Sequence, residues 1–347
     1  MHMPTNATEA FDRATGPGKT PHAVVMTRLK ERLAEIKDVL PVDRPLVYLD
    51  YPVHDNVGDL LIHQGADAFL KDYGYRVLGE YSAHDFSERI VKSEPNVRLK
   101  ASIRRLDELV RKHDATIVMH GGGNFGDIWP EFQQFREFIV QRYPDTRIVV
   151  FPQSIHFGSA EAQARAAKIF GAHRKLFIFV RDAESLEFVH RQCDLPGAVM
   201  PDMAHQLWGR LPTDGDGNGE MLIQRRRDKE TRTLGNVDRN AFDWDDLESG
   251  RDVFLIRALR KWQVMDNPFQ GLVPNYVLWR LFRDNLVNRA VVKLRPYSGI
   301  DTDRLHGMIL GALMAKKVRF GDGSYGKLHR YAQVWLGESD RIESAGL

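Results

Sequence analysis

Residues 116–127, with the sequence TIVMHGGGNFGD, hold the groups best suited to binding an anion. The first four residues are apolar or β-branched, which predicts a short buried strand. The glycines after it allow backbone N–H groups to approach a ligand, and Pro130 stands where a helix can begin. A strand, a glycine turn and a helix N-terminus together predict an anion cradle with Gly122, Gly123 and Asn124 as candidate ligands.

Two other interpretations of this stretch compete with the cradle. Gly121, Gly123 and Gly126 match the GxGxxG spacing of a dinucleotide site, but that motif expects an acidic residue after the next strand. The next predicted strand, residues 147–151, is followed instead by Pro-Gln-Ser, which disfavours a nicotinamide or flavin enzyme. The glycines can also serve only the close packing of a helix on a sheet.

Polar residues follow three more strands that the apolar pattern predicts. Gln153 and Ser154 end one strand, Arg181 and Asp182 end the next, and Asp202 ends a third. Ligands of open parallel sheets bind beyond the carboxyl ends of the strands, so we expect these side chains to share a site. Any one of them alone can be a helix cap or a turn residue.

Two helix starts add further candidate residues. Asn56, Gly58 and Asp59 precede an apolar helix, which Asn56 or Asp59 can simply cap. Arg304 and His306 lie at the start of another, where the helix dipole attracts anions. A bound phosphate or carboxylate would favour protonated imidazole there, which suits proton exchange near neutral pH. A single histidine is otherwise more often structural.

Composition limits the function classes. The chain has 347 residues, enough for two domains, and its net charge of +2, without a nucleic-acid motif, argues against a nucleic-acid partner. Cys193 is the only cysteine, which excludes internal disulfides and thiolate zinc sites, and no HExxH spacing is present. No apolar run reaches the roughly 18 residues of a membrane span, and the N-terminus lacks a signal-peptide core, so we expect a cytoplasmic protein.

The alternation of predicted strands and helices is typical of parallel α/β folds. A sequence rich in Pro, Gly and Asp at 211–219 predicts a linker between two domains. The predicted divisions are a flexible arm and helix (1–43), an N-terminal domain (44–210), this linker, a C-terminal domain (220–337) and a tail (338–347).

Residues 251–295 form a basic and aromatic insertion within the second domain. They contain nine Lys or Arg against three Asp, interleaved with aromatic residues such as Phe254, Trp262, Phe269 and Trp279. This pattern suits a helix on the surface of an anionic membrane. The alternative is that aromatic residues at helical spacing pack in the core. The charge run 225–230 has a solvated loop as its simplest interpretation.

Taken together, the motifs resemble the polysaccharide pyruvyl transferase family. The matching pieces keep their order over about residues 45–336 and are Asn56-Val-Gly-Asp59, Gly121-Gly-Gly-Asn124, Phe151-Pro-Gln-Ser154, Arg181-Asp182, Pro201-Asp202, Arg226-Arg-Asp-Lys-Glu230, Thr302-Asp-Arg-Leu-His306 and Ser324-Tyr-Gly-Lys327. The chain departs from the family pattern at 251–295 and at Lys293-Leu-Arg-Pro-Tyr297, where an apolar strand is expected.

The resemblance implies two Rossmann-like domains facing a cleft, as in glycosyltransferase B enzymes, with the acceptor bound by the first domain and the donor by the second. It implies phosphoenolpyruvate as donor, no cofactor or metal, and as acceptor a polysaccharide sugar carried on a lipid at the inner face of the cytoplasmic membrane. A pyruvate ketal would be the product. We accordingly expect the protein to attach peripherally to the inner face of the cytoplasmic membrane through residues 251–295.

The resemblance also implies roles for residues. His306 would be the acid/base, Arg181 and Arg304 would clamp the anionic donor, and Asp59 would assist the acceptor hydroxyl, a role for which Asp55, Asp182 and Asp202 compete. The full predicted donor set is Arg304, Gly122, Gly123, Asn124, Tyr325 and Lys327. The predicted acceptor set is Asn56, Gly58, Gln153, Ser154, Asp182 and Asp202.

Two other function classes stay open at this point. A glycosyltransferase of the same architecture would use a nucleotide-sugar, whose ribose usually needs an acidic partner in the second domain, and no clear candidate follows the strand at Met221. A non-catalytic glycan-binding relative would not need to retain His306, Arg181 and the glycine stretch.

Overall fold

The computed structural model describes residues 19–86, 100–213, 217–227, 241–265, 274–321 and 326–345. Its strands, in chain order, are β1 Leu46–Leu49, β2 Val77–Tyr81, β3 Thr116–Met119, β4 Gly122–Gly126, β5 Ile148–His156, β6 Leu176–Val180, β7 Gly197–Val199, β8 Met221–Gln224, β9 Gly299–Thr302, β10 Lys317–Phe320 and β11 Ile342–Ser344. Its helices are α1 His22–Leu33, α2 Val57–Asp72, α3 Ala101–His113, α4 Pro130–Arg142, α5 Ala160–Gly171, α6 Ala183–Glu187, α7 Gly250–Val264, α8 Asn275–Leu294, α9 Leu305–Leu313 and α10 Lys327–Tyr331.

The described strands form two parallel sheets, which confirms the predicted α/β class. The first sheet runs in the order β2-β1-β3-β5-β6-β7, with β4 paired to β5. The second runs β11-β10-β9-β8. Parallel pairing needs crossover connections, and the helices supply most of them. Strand β11 lies in the part of the chain that the sequence predicted as a tail.

The glycine stretch differs from the prediction. Gly122–Gly126 is strand β4 and not a turn into a helix N-terminus, because β5 continues past the segment that pairs with β3 and offers backbone partners to the glycines. Gly122 pairs with Gln153, so the Gln-Ser pair predicted as a strand tip lies inside β5. A side chain at Gly126 is excluded, because its Cβ would stand 1.7 Å from the His156 carbonyl oxygen. Helix α4 begins at Pro130 as predicted.

Capping side chains define several helix starts near the sheet edge. Asn56 caps α2 by accepting from Gly58 N–H, and Asp182 caps α6 by accepting from Ser185 N–H at 2.8 Å. Ser249 and Asp252 form a reciprocal capping box at the start of α7. Helix α9 has no side-chain cap from its N-cap residue, Arg304; instead Thr302, within β9, accepts the N–H of Arg304 at 3.0 Å.

One hydrophobic core is shared by both sheets. It joins Tyr48 and Phe151 of the first sheet to Leu222 and Ile300 of the second, while alternate residues such as Val47 face a separate core under α3, α4 and α5. The N-terminal helix α1 also contacts the second half, since the His22 ring lies 2.7 Å from the Ala312 carbonyl oxygen. None of the described helices is both long enough and apolar enough to cross a bilayer.

Candidate active site

A cleft lies where the carboxyl end of the first sheet meets the start of α9 and α10. The first half of the chain lines it with Gly123, Ser154 and Asp182, and the second half lines it with residues that include Lys327 and Tyr331. Of the residues predicted to gather at the strand ends, Ser154 and Asp182 therefore do line one cleft.

Three charged or ionisable side chains are linked to one another beside this cleft, where Arg181 contacts the lining residue Ser154. The carboxylate Oδ2 of Asp202 accepts from Arg181 Nη1 at 2.6 Å and lies 3.4 Å from His306 Nε2. Arg181 and Asp202 are fully buried, whereas the His306 side chain retains 14% exposure. The His306 ring is thus held by a carboxylate that is itself held by a guanidinium.

The charge state of Asp202 follows from these partners. Burial by itself would raise the pKa of Asp202, but the hydrogen bond from His306 and the positive charge of Arg181 hold it well below its ordinary value. Its other oxygen accepts from Ala204 N–H at 2.9 Å. With these contacts Asp202 orients His306, which differs from the acceptor contact predicted for it.

Two cationic side chains lie next to Gly123. A Cβ at Gly123 would lie 2.8 Å from Lys327 Nζ and 3.2 Å from Arg181 Nη2. Arg181 Nε donates to Ser154 Oγ at 3.1 Å, and Nη2 is buried with no hydrogen-bond partner among the residues that the structure describes. A guanidinium whose Nη2 amino group is unused, beside an ammonium, suits a carboxylate or phosphate ligand.

The N-terminus of α2 meets the same place. The His306 ring packs directly on Gly58, where a Cβ would stand 2.6 Å from Nδ1. Asp59 Oδ2 accepts from Asn56 Nδ2 at 2.9 Å and lies 3.6 Å from His54 Nε2. Its other oxygen is 3.6 Å from the Cβ position of Gly122. Asp59, in the first turn of α2, therefore lies near the glycine strand and next to the residue against which His306 packs.

Other predicted ligands make internal contacts. Arg304 forms a buried two-point ion pair with Asp243. Asn124 accepts from Arg136, and Gln153 donates to the His120 carbonyl at 2.8 Å. The geometry gives these three residues supporting positions, while Tyr325 lies outside the described residues.

Sequence reasoning missed Tyr331 and His205. The Tyr331 hydroxyl accepts from Asp202 N–H at 2.9 Å and lies 3.0 Å from His205 Nε2, and the two rings stack. Burial lowers the pKa of His205 to about 4. Neither residue belongs to a motif, and an aromatic residue in a short, mostly basic helix gives no signal of its neighbours. Asp243 did have a weak local signal, because an Asp three residues before a second one, here Asp246, is a capping pattern.

One group of described residues has the composition of a metal site. His63, Asp67 and Glu80 bring possible ligand atoms within 4.8 Å of one another. Arg283 and Arg280 bind the two carboxylates, with 2.5 Å between Arg283 Nη1 and Asp67 Oδ2. A divalent cation would have to displace these guanidinium groups, so the residues present fit an internal ion-pair network better than a metal.

Comparison with known proteins identifies the family. Residues 56–320 match the family model described as polysaccharide pyruvyl transferase. The chain belongs to this family. It is 33% identical over 313 residues to "Putative pyruvyl transferase EpsO" of Bacillus subtilis strain 168, which covers 90% of this chain and 91% of that protein.

More distant relatives support the same assignment. "Pyruvyl transferase 1" of Schizosaccharomyces pombe is 24% identical over 330 residues, covering 90% of this chain and 73% of that protein. A solved structure of a functionally uncharacterised Klebsiella pneumoniae protein matches with a TM-score of 0.56 at 16% identity, over 92% of this chain and 98% of that one. That likeness bears on the fold alone.

Proposed function

We propose that the protein transfers pyruvate from phosphoenolpyruvate to a sugar of a polysaccharide repeat unit and forms a pyruvate ketal. The observation that carries the proposal is the meeting of His306, Asp202 and Arg181 beside Gly123 and Lys327. Membership of a family of transferases in polysaccharide biosynthesis supports the reaction class. The donor, the lipid carrier and the ketal are the specific content of the proposal.

The donor would bind by its charges. Phosphoenolpyruvate has a carboxylate and a phosphate, and Arg181 Nη2 and Lys327 Nζ both border the open Cα of Gly123. Charge-assisted hydrogen bonds to these two cations would hold one anionic group next to His306. Gly122 and Asn124 would contribute backbone near the donor, and Arg304, through its pair with Asp243, would fix the start of α9.

The chemistry would begin with a proton from His306. Its transfer to the methylene carbon of phosphoenolpyruvate makes a methyl group and leaves an oxocarbenium-like carbon. A sugar hydroxyl oxygen then bonds to that carbon, and its proton passes to Asp59. A second hydroxyl of the same sugar displaces phosphate, and its proton leaves on the phosphate or returns to the imidazole. Asp202 would hold the ring in place throughout.

The acceptor would enter from the side of α2. Asp59 and the capping residue Asn56 lie at that helix start, while Ser154 and Asp182 line the cleft beside them. The two parallel sheets flanking the cleft are compatible with a glycosyltransferase B-like arrangement. A lipid-linked sugar at the inner face of the cytoplasmic membrane is the acceptor that we propose, with no metal or cofactor required by the steps above.

The test is phosphate release from phosphoenolpyruvate, measured with and without lipid-linked and synthetic oligosaccharide acceptors. His306→Ala should abolish acceptor-dependent release, whereas His190→Ala, which changes an exposed histidine whose Nε2 lies 3.2 Å from the Gly197 carbonyl oxygen, should retain it. Near-normal turnover in His306→Ala would refute the role of that residue. If phosphoenolpyruvate neither reacts nor raises the Tm, the donor assignment fails, and a nucleotide-sugar would be the next donor to test.

A further inference from the structure

Helices α7 and α8 expose several large apolar side chains. On α7 these are Phe254, Leu255 and Trp262, and on the first turns of α8 they are Val277, Leu278 and Leu281. Phe254 and Leu281 are each 70% exposed, and Trp262 is 51% exposed. We refer to these six residues as the α7/α8 face. Large exposed apolar patches on a folded protein mark sites of interaction.

The sequence of α7 separates two faces at helical spacing. Phe254 and Trp262 are eight residues apart, which places them on one side about 12 Å from each other. Ile256 and Gln263, by contrast, are buried against the rest of the protein. The aromatic residues of 251–295 thus divide: Trp279 is core, as one alternative predicted, while Phe254 and Trp262 point to solvent. Phe269 lies outside the described residues.

The exposed charges of α7 are all positive, while α8 exposes one carboxylate, Asp284, which is paired with Arg283. Arg251, Arg257 and Lys261 are exposed on α7. The single acidic residue of that helix, Asp252, is buried and bound by Arg289 Nη1 and Nη2. Exposed aromatic and aliphatic side chains flanked by exposed cations are the composition of helices that lie in the interface of anionic membranes. A neutral or basic partner surface would gain nothing from those cations, whereas an anionic surface would attract them.

We infer that the α7/α8 face docks on an anionic phospholipid bilayer, with the apolar side chains in the interface and the three cations at the headgroups. The inner side of α7 contacts the loop that leads to Asn56: Arg260 Nε donates to the Val53 carbonyl at 2.7 Å, and Gln263 Nε2 donates to the Tyr51 hydroxyl at 2.9 Å. Docking would therefore bring the acceptor side of the cleft near the bilayer. That last link rests on the proposed function, whereas the docking itself does not.

The experiment is co-sedimentation of the full chain with vesicles of phosphatidylcholine alone and of phosphatidylcholine with phosphatidylglycerol. We expect binding only to the anionic vesicles, and weaker binding at high salt because the attraction is screened. Arg257→Gln with Lys261→Gln should lower the partition coefficient roughly thirtyfold, since each cation near an anionic surface contributes about 1 kcal/mol. Phe254→Glu with Trp262→Glu should abolish binding.

A matched control is Val24→Glu, which places a charge at an exposed apolar position of α1. It should bind like the wild type. Failure of the wild type to bind anionic vesicles would overturn the inference, as would equal binding of Phe254→Glu/Trp262→Glu and Val24→Glu. If the wild type does not bind vesicles but is a dimer in light scattering, and Phe254→Glu/Trp262→Glu is a monomer, the face would instead bind a second copy of the chain. Vesicle binding without turnover would leave docking intact and count only against the proposed reaction.

Discussion

Replacement of Gly58 by alanine should separate the chemistry from the stability of the fold. Gly58 is the second residue of α2, and the added Cβ would stand 2.6 Å from His306 Nδ1 and 2.9 Å from Cγ. The ring must retreat by about 0.8 Å to reach the 3.4 Å at which ordinary van der Waals contact begins. The side chain retains 14% exposure, so the ring is not enclosed on every side.

The Gly58→Ala change should lower kcat more than it lowers stability. His306 Nε2 lies 3.4 Å from Asp202 Oδ2, near the upper limit of a hydrogen bond, so we expect a shift of this size to disturb the contact that orients the ring. A positioned general acid accelerates a reaction about 10²–10⁴-fold. We therefore expect kcat to fall at least tenfold, with a much smaller change in KM for phosphoenolpyruvate. The free energy of unfolding should stay within about 1 kcal/mol of the wild type, because alanine is the better helix former.

The assay is steady-state phosphate release together with urea unfolding. Gly250→Ala is the matched control, since it adds a methyl group to the first turn of α7 where the structure leaves open space. It should leave both kcat and stability near the wild-type values. A Gly58→Ala enzyme with kcat within about twofold of wild type would refute the argument that the position of the His306 ring limits the reaction.

Three other predictions follow from the same geometry. Lys327→Met should raise KM for phosphoenolpyruvate roughly tenfold or more, because it removes a charge-assisted contact, and initial rates over a range of donor concentrations would measure this. Asp202→Asn should lower kcat and also reduce the free energy of unfolding by about 3–5 kcal/mol in urea, because buried Arg181 loses its carboxylate; unchanged stability would contradict the ion pair. The pKa of His205 is lowered by burial, so the unfolded chain binds more protons between about pH 6.5 and about pH 4, and stability should fall as the pH falls through that window. From pH 7 to pH 5 this group accounts for about 2 kcal/mol of the loss, and His205→Asn should show a flatter pH dependence in urea unfolding.

The parts of the fold that could be predicted were those with a strong local pattern. The apolar strands at Leu46–Leu49 and Met221–Gln224, and the helix that begins at Pro130, follow from β-propensity and from proline at the first helical position. The glycine strand Gly122–Gly126 could not be predicted in this way. Glycine is a poor strand former, and this strand exists because β5 extends beside it.

The candidate site shows the same limit. Local motifs identified Arg181, Asp202 and His306, but not that Asp202 lies between the other two, since such pairing depends on residues far apart in the chain. Arg304 looked like a ligand for an anion because of its place before an apolar helix. Its partner Asp243 comes from the loop before α7, and nothing in either local sequence predicts that contact.

The most direct test of the central claim is the reaction of phosphoenolpyruvate with an acceptor sugar in deuterium oxide, followed by mass spectrometry and NMR of the modified sugar. A pyruvate ketal whose methyl group carries a single deuterium, formed with release of phosphate, is the predicted result, because His306 must deliver one solvent-derived proton to the methylene carbon. An acceptor that gains a group while the methylene stays intact, or release of phosphate with no change in the sugar, would contradict the account.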